Sequence, residues 1–222
     1  MYLSRVELDP RKESKLQIRG LSAYHGYVEE AFPQDLNKNP RVRHLWRIDV
    51  LNHKRYLLIV SPTAPDLLAL EKYGVRGTAL SKDYQPFLDN IKDGQVYRFR
   101  LTANPRRVTD LIDNTGKKRK KIVPPKNVES QKEWLVRQLA NKPGMAFLTI
   151  PRLPKTEMSF KVVESTSRLL IRNKRKIPLT CVSYEGVVAV TNAEEAKKIL
   201  VEGLGQEKAF GMGLMTLIPY HS

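Results

Sequence analysis

A glycine-rich segment near the end of the chain, residues 203–219, combines residue types that can hold a phosphate. Four glycines surround one lysine, in the order Gly203, Gly205, Lys208, Gly211 and Gly213. Glycine allows positive φ and a close backbone approach, and successive N–H groups of such a loop can surround phosphate oxygens. The spacing G-x-G-x-x-K follows a helix-like run, so it matches neither a dinucleotide fold nor a G-K-[ST] loop. The segment therefore indicates a different phosphate contact or a flexible connector.

The net charge favours a polyanionic partner. The chain has 39 Lys and Arg against 23 Asp and Glu, a formal net charge of +16 in 222 residues, which is typical of proteins that bind nucleic acid. Residues 103–126 and 151–180 each hold eight basic and two acidic residues. An anionic membrane is the alternative partner, but neither segment has the pattern of a membrane-surface helix. A DNA-binding or ribosomal-type structural protein and, for residues 117–121, a solubilising basic loop also remain open.

The composition restricts other chemistry. Cys181 is the single cysteine, so neither an internal disulfide nor a cysteine-rich zinc site is expected. The four histidines show no ligand spacing, and we expect no metal and no cofactor. The first ten residues do not form an apolar signal region, and no apolar run approaches the ~18 residues of a membrane span. We therefore expect a soluble, cytoplasmic protein with no membrane partner.

Hydrophobic periodicity predicts that the first half of the chain is a ferredoxin-like domain. Alternating or apolar runs predict strands, and i, i+3, i+4 spacing predicts helices. The predicted order is strand 2–8, helix 14–32, strands 45–51 and 56–60, a short helix 86–91 and strand 95–102. This is the βαββαβ order of ferredoxin-like domains.

The second half repeats this mixed pattern. Its predicted elements are helix 130–141, strands 145–150, 158–163, 168–172, 179–184 and 187–190, a helix that Thr191 begins with a capping box, and strand 214–218. We therefore predict an α+β fold of two tandem ferredoxin-like, RRM-like domains with antiparallel sheets. The domains are expected at 1–105 and 127–222, with a basic linker or loop at 106–126.

A long basic β-hairpin, residues 159–184, is predicted to project from the second half. A two-stranded ribbon can enter a nucleic-acid groove. Because the major groove of A-form RNA is narrow, we expect this ribbon to grip phosphates or the end of a stem. The candidate RNA-binding residues are Lys161, Arg168, Arg172, Lys174, Arg175, Lys176, Arg106, Arg107, Gly203, Gly205, Lys208, Gly211 and Gly213.

His25 is a candidate for proton transfer, because an imidazole titrates near neutral pH. The apolar stripe of its helix consists of Leu21, Tyr24, Val28, Ala31 and Phe32. His25 lies about 70° from the centre of this stripe, at the boundary between core and solvent. A side chain there can reach into a cleft, and it can equally be structural.

Several segments together resemble the CasE (Cse3) family of CRISPR-associated endoribonucleases of type I-E systems, within the repeat-associated RNA-binding superfamily. The resemblance covers nearly the whole chain. It is carried by Met1-Tyr2-Leu3-Ser4, by His25 with Pro33, by Arg98-Phe99-Arg100-Leu101 with Ala103-Asn104-Pro105, by Trp134-Leu135, and by Gly203-x-Gly205 through Lys208 to Gly211-x-Gly213-Leu214.

The resemblance implies a function. Such proteins cut the CRISPR precursor transcript within each repeat, at the 3′ base of a stem-loop, without a metal. The substrate's own 2′-hydroxyl attacks and leaves a 2′,3′-cyclic phosphate and a 5′-hydroxyl. The enzyme keeps its crRNA product and becomes a subunit of the Cascade complex with other type I-E subunits. His25 is then the expected catalytic residue, and nearby cations would stabilise charge on the scissile phosphate.

One position departs from the family pattern. Family members carry a tyrosine three residues before the histidine, where this chain has Ser22, which could position the 2′-hydroxyl. The second proton-transfer group is therefore open among Lys208, Tyr24 and Tyr27, although Tyr24 points into the core stripe. Glu29, at i+4 from His25, is hypothesised to orient the imidazole and raise its pKa. The alternative function is a non-catalytic RNA-binding subunit of a ribonucleoprotein.

Overall fold

The computed structural model describes residues 1–112, 117–148, 158–172 and 175–220. The helices are α1 Pro10–Arg19, α2 Leu21–Glu30, α3 Leu67–Glu71, α4 Gln85–Asp89, α5 Val128–Asn141 and α6 Ala193–Glu202. The strands are β1 Tyr2–Glu7, β2 Leu45–Leu51, β3 Lys54–Ser61, β4 Leu80–Asp83, β5 Val96–Ala103, β6 Arg107–Ile112, β7 Lys118–Val123, β8 Met145–Phe147, β9 Phe160–Arg172, β10 Arg175–Val190 and β11 Met215–Pro219. None of the helices in this described part of the chain is long and apolar enough to cross a membrane.

The two larger antiparallel sheets in the described residues have the same topology, which confirms the predicted α+β class with tandem ferredoxin-like units. The first sheet has the order β2-β3-β1-β4. The second has the order β11-β5-β10-β8, with β9 paired to β10. Each sheet is built from a βαββαβ sequence in which the first and third strands lie at the centre.

The strand at 95–102 was predicted to complete the first sheet, and the structure corrects this. β5 pairs instead with β10 and β11, where Leu101 lies opposite Tyr184 and Met215. The alternation of apolar residues identifies a half-buried strand but does not identify its partners. The fourth strand of the first sheet is β4, a short edge strand with little apolar pattern, in which Ser81 bonds Ser4 at 2.9 Å.

The predicted helix 14–32 is two helices that meet at Gly20. Asp9 caps α1, its carboxylate accepting from the N–H of Arg11, and Pro10 occupies the first turn. Gly20 has φ +73°, and a Cβ at this position would lie 2.4 Å from the carbonyl oxygen of Leu169 in β9. Glycine at this break therefore lets the start of α2 contact the basic hairpin directly.

The basic hairpin, β9 and β10, packs along α2 rather than projecting freely. Leu170, Leu179 and Cys181 are buried in the same apolar cluster as the core side of α2. The period-2 pattern of the hairpin thus places apolar residues against α2 and basic residues toward solvent. Its turn residues Asn173 and Lys174 lie outside the described residues.

The segment predicted as a basic linker, 106–126, is largely a two-stranded ribbon, β6 with β7. Val108 and Ile112 on β6 and Ile122 on β7 are exposed on this ribbon. β-branched residues at alternating positions explain why a strand forms here. The turn-like residues 113–116 lie outside the described part of the chain.

A buried arginine ties the two sheets together. The Arg47 side chain, 2% exposed, pairs with Asp49 at 2.7 Å. From β2 it also donates to the carbonyl oxygens of Arg100 and Leu214 and to the Thr216 hydroxyl, at 2.8–2.9 Å. These bonds satisfy the buried guanidinium and fix β2 of the first sheet against β5 and β11 of the second.

Candidate active site

A cleft of about 460 Å³ separates α2 from the glycine-rich loop. We call it the α2–loop cleft. It is lined by His25, Glu29, Arg41, Arg43, His44, Gly205, Glu207, Lys208 and Phe210, together with their neighbours 42, 206 and 209. The lining comes from three separate segments, so the cleft exists only in the folded chain.

His25 lies at the wall of this cleft with its side chain 23% exposed. Nδ1 is 3.8 Å from Glu29 Oε1, beyond hydrogen-bond length, and Nε2 is 3.5 Å from Arg41 Nη2. The ring meets Phe210 edge to face, with centroids 5.7 Å apart. The predicted boundary position of His25 on its helix thus corresponds to the edge of a polar cleft.

The pKa of His25 is lowered, mainly because burial disfavours the imidazolium. Glu29 raises this pKa, as hypothesised, but its effect does not outweigh burial and the positive charges of Arg41 and His44. The net shift of the His25 pKa is therefore downward, although Glu29 itself acts in the hypothesised direction. At neutral pH the ring is unprotonated and able to accept a proton.

Lys208 approaches the same cleft from the loop. Its Nζ donates to the Glu202 carbonyl oxygen at 2.7 Å. Burial, with the nearby charges of Arg43 and Lys142, lowers the pKa of Lys208 to about 8. An ammonium with such a pKa can give up a proton near neutral pH.

The four glycines of the loop make room for the protein's own side chains. All have positive φ. A Cβ on Gly211 would lie 2.6 Å from the Trp46 ring, and one on Gly205 would lie 3.0 Å from the Trp134 ring. A Cβ on Gly203 or Gly213 would likewise meet Leu45 or the Leu204 carbonyl within 3.0 Å. Of the four, only Gly205 lines the cleft.

The structure does not bring the hydroxyls of Ser22, Tyr24 and Tyr27 into the cleft. Ser22 Oγ donates to the carbonyl oxygen of Ile171 in β9. The buried Tyr24 donates to Glu13 Oε1 at 2.6 Å and stacks on Trp46, as expected for a core residue.

Tyr27 is also buried, and its hydroxyl donates to the Leu70 carbonyl oxygen. Burial strongly raises the pKa of Tyr24 and of Tyr27. Of the three open candidates for the second proton-transfer group, only Lys208 lines the cleft.

The predicted RNA-binding residues fall into separate places. The exposed residues Arg172, Arg175 and Lys176 lie at the end of the hairpin, beside the Ser22 contact at the start of α2. Arg168 is half-buried further along β9.

The remaining predicted cations are distributed more widely. Arg106 bonds Glu207 of the glycine-rich loop, and Arg107 is exposed on the β6–β7 ribbon. Lys161 lines a larger groove of about 650 Å³ between the two sheets, and Lys174 lies outside the described residues.

Sequence reasoning missed four residues of the site: Asp35, Arg41, Arg43 and His44. The last three stand together as Arg41-Val42-Arg43-His44 just before β2. This alternation of basic residues at the entrance to a strand was the available signal. Its proximity to His25 was not predictable, because the two segments are separated along the chain. No group of three His, Cys, Asp or Glu residues within the described ranges is arranged to hold a metal ion.

Known proteins resemble this chain over nearly its full length. The family model described as "CRISPR associated protein" matches residues 1–219. The CRISPR-associated endoribonuclease Cse3 of Thermus thermophilus is 27% identical over 228 residues, covering 99% of this chain and 100% of that protein. A structure of Cse3 endoribonuclease bound to a 19-nucleotide RNA superimposes with a TM-score of 0.80, at 26% identity, 99% coverage of this chain and 100% of that chain.

Two further structures extend the comparison. Thermus thermophilus Cse3 bound to an RNA representing a pre-cleavage complex gives a TM-score of 0.77 at 27% identity, with 98% of each chain covered. Cas6e from Escherichia coli K-12 shares the fold, with a TM-score of 0.62 at 21% identity, covering 99% of this chain and 100% of that chain. The match to the family model over nearly the full length shows that this chain belongs to the CRISPR-associated protein family.

Proposed function

We propose that this protein is a metal-independent endoribonuclease that cleaves CRISPR precursor RNA within the repeat, at the 3′ base of a stem-loop. The observation that carries the proposal is the α2–loop cleft, in which His25 and Lys208 face a space also lined by Arg41 and Arg43. The full-length similarity to Cse3, which is named an endoribonuclease, supports it. The protein acts on cellular transcripts, so we place it in the cytoplasm.

In the proposed reaction His25 is the general base. Its neutral imidazole takes the proton of the substrate's 2′-hydroxyl, and the 2′-oxygen then attacks the adjacent phosphorus. The P–O5′ bond breaks, which leaves a 2′,3′-cyclic phosphate and a 5′-oxygen that takes up a proton. Lys208, with a pKa of about 8, supplies that proton as the ammonium.

Arg41 and Arg43 stabilise the negative charge that develops on the scissile phosphate. Arg41 Nη2 is held 2.8 Å from Glu29 Oε2, which orients the guanidinium while leaving it largely exposed. A planar guanidinium presents several donors to phosphate oxygens. Charge neutralisation by the protein's own cations is what allows the proposed reaction to proceed without a metal.

RNA binding is assigned to the basic surfaces that adjoin the cleft, chiefly the end of the hairpin. With roughly six phosphate contacts, log K falls with log salt at a slope of about −4 to −5. The protein is proposed to retain its crRNA product and to join other type I-E Cascade subunits. Slow product release fits a site held by many phosphate contacts.

The test is single-turnover cleavage of the host's CRISPR-repeat stem-loop RNA in EDTA, with wild type and His25→Ala. We expect wild type to leave a cyclic phosphate, and His25→Ala to lose ~10²–10⁴-fold in rate while RNA affinity persists. His53→Asn, in the exposed β2–β3 turn, is the matched control because it removes a histidine outside the cleft. Cleavage of an RNA with a 2′-deoxy sugar at the attacking position would contradict the mechanism.

A second candidate function is a non-catalytic RNA-binding subunit. It is favoured by Ser22, which stands where the family has tyrosine and whose hydroxyl bonds Ile171 rather than entering the cleft. Tight, salt-sensitive RNA binding without cleavage by wild type would support this function. Ser22→Tyr would then be the variant in which to look for restored cleavage.

A further inference from the structure

A buried chain of three side chains lies behind the cleft. His44 Nδ1 is 3.1 Å from Glu29 Oε1, and His44 Nε2 is 3.1 Å from Asp35 Oδ2. The side chains of His44 and Asp35 are 2% and 1% exposed. The His44 ring stacks on Phe32 with centroids 3.9 Å apart and planes 8° apart, so its orientation is fixed.

The carboxylates of Glu29 and Asp35, at the two ends of this hydrogen-bonded series, are both ionised. Burial alone would raise the pKa of Glu29, but hydrogen bonds from His44 and Arg41 outweigh it and bring the pKa to about 2. For Asp35, burial is likewise outweighed by hydrogen bonds from Lys38, Thr63 and His44, and its pKa is also about 2. Ionised carboxylates only accept hydrogen bonds.

Each ring nitrogen of His44 therefore faces a carboxylate oxygen, Nδ1 that of Glu29 and Nε2 that of Asp35. The ring is thus held from both sides by hydrogen-bond partners. The two carboxylate oxygens of Glu29 have different partners: Oε1 lies 3.1 Å from His44 Nδ1, and Oε2 accepts from Arg41 at 2.8 Å. His25, 3.8 Å from Oε1, is left outside this pairing.

We propose that His44 is a positioning residue for the cleavage reaction: clamped between Asp35 and Glu29, it holds Glu29 away from His25, so that His25 stays an unprotonated proton acceptor and Arg41 stays aimed into the cleft. This inference rests on the proposed function for its catalytic consequence. The clamp itself can be tested without RNA.

The charged groups that face His25 determine the direction in which each substitution shifts its titration midpoint. On α2 there is Glu29, which favours the imidazolium. From the segment before β2 come Arg41 and His44, which disfavour it. Arg43 of the same segment and Glu207 and Lys208 of the glycine-rich loop also line the cleft.

Two substitutions, each of which removes one member of the hydrogen-bonded series Asp35–His44–Glu29, are therefore expected to move the His25 titration midpoint in opposite directions. His44→Gln removes the imidazole that holds Glu29 Oε1 and releases Glu29 to pair with His25, so the His25 titration midpoint rises. Glu29→Gln removes the one group on α2 that favours the imidazolium, so the midpoint falls. General loosening of the fold would expose His25 to water in both variants and move both midpoints in one direction.

The experiment is a pH titration of the full chain by NMR with labelled histidine, comparing wild type, His44→Gln and Glu29→Gln. His53→Asn serves as the control and identifies one of the four histidine signals. Opposite shifts of the His25 midpoint support the clamp, and equal or absent shifts overturn it. If His44→Gln does not fold, Asp35→Asn replaces it and is expected to shift the midpoint upward by less.

Single-turnover cleavage as a function of pH gives the catalytic readout. The acidic limb of the rate profile should move with the NMR midpoint, upward for His44→Gln and downward for Glu29→Gln, while RNA affinity changes little. Opposite NMR shifts with no cleavage by wild type would retain the clamp and reject the proposed nuclease. Cleavage by wild type with an unmoved acidic limb in both variants would reject the positioning role of His44.

Discussion

The groove between the sheets and the α2–loop cleft differ in how their charges are arranged. The groove between the sheets is the larger, about 650 Å³, and Arg100 on its wall is paired with Glu185 and lies 3.1 Å from Asp49. In the smaller α2–loop cleft, burial and then the nearby charges of Arg43 and Lys142 lower the pKa of Lys208 to about 8. A partly buried cation beside other cations, rather than the size of the concavity, marks the surface suited to proton transfer on a polyanion.

The largest expected effect is on the cleavage rate, and it is found by substituting one lysine of each surface. Lys208→Ala should reduce the single-turnover cleavage rate by ~10²-fold or more, because the leaving 5′-oxygen loses its proton donor. Lys161→Met, in the groove, should leave the rate at saturating RNA within about threefold, since Lys161 lies outside the cleft. Equal losses in the two variants would remove the distinction between the surfaces.

The pH dependence sharpens this assignment. The rate should rise as His25 loses its proton, below the ordinary pKa of 6.5, and fall as Lys208 loses its own near pH 8. Lys208→Arg keeps the charge but does not titrate in this range, so the descending limb should disappear. A descending limb that persists in this variant would assign the proton donor to another group.

The next effect concerns the free energy of unfolding and the hydrogen bonds by which Arg47 joins the two sheets. Arg47→Met should lower the free energy of unfolding by about 3–5 kcal/mol, because Asp49 and two carbonyl oxygens lose their buried donor. Arg5→Met, an exposed groove residue on β1, should change it by less than about 0.5 kcal/mol. Urea denaturation measures both, and a small effect at Arg47 would show that the tie is dispensable.

A third comparison concerns RNA binding. Changing Arg172 and Arg175 together to Gln should make the salt slope of log K shallower by about 1.5, because two phosphate contacts at the hairpin end are lost. Changing Arg5 and Arg98 of the groove together should leave the slope unaltered. Binding titrations from low to moderate salt decide the matter, and the opposite pattern would move the RNA to the groove.

The smallest effect tests why the loop beside the cleft is rich in glycine. Gly211 and Gly77 have nearly equal φ, +80° and +77°, but only Gly211 has a side chain, Trp46, in the space of a Cβ. Gly77→Ala should lower stability by about 1 kcal/mol through backbone strain. Gly211→Ala should lower it by about 1–3 kcal/mol more, because the ring must move. Equal thermal shifts would argue against close packing as the reason.

The sequence predicted the parts of this molecule that depend on local pattern. Alternation located β5, and helical spacing placed His25 at the edge of its apolar stripe. The pairing of β5 with β10 and β11 was not predictable, because alternation is the same whichever sheet receives the strand. The break at Gly20 was also missed, since its reason is a contact with Leu169, far away in the chain.

The candidate site likewise has residues that the local sequence predicts and an arrangement that only the fold determines. His25 and Lys208 are identifiable from residue type and resemblance, but the Asp35–His44–Glu29 chain depends on distances between segments. The glycines of the loop were interpreted as a phosphate contact or a flexible connector, whereas their missing Cβ atoms face Trp46, Trp134, Leu45 and the Leu204 backbone. Glycine content indicates a close approach but does not say whether a ligand or the protein itself makes that approach.

Under the proposed function, the contacts of Gly20 and Ser22 with the hairpin set the distance between the RNA-binding surface and His25. Ser22 bonds Ile171 of β9, and His25 follows one helical turn later on α2. The surface proposed to hold the foot of the stem and the proposed general base, His25, are therefore a fixed distance apart. In the proposed function the cut site is chosen by distance from the stem, so a stem longer by one base pair is expected to be cut at the same distance from its foot.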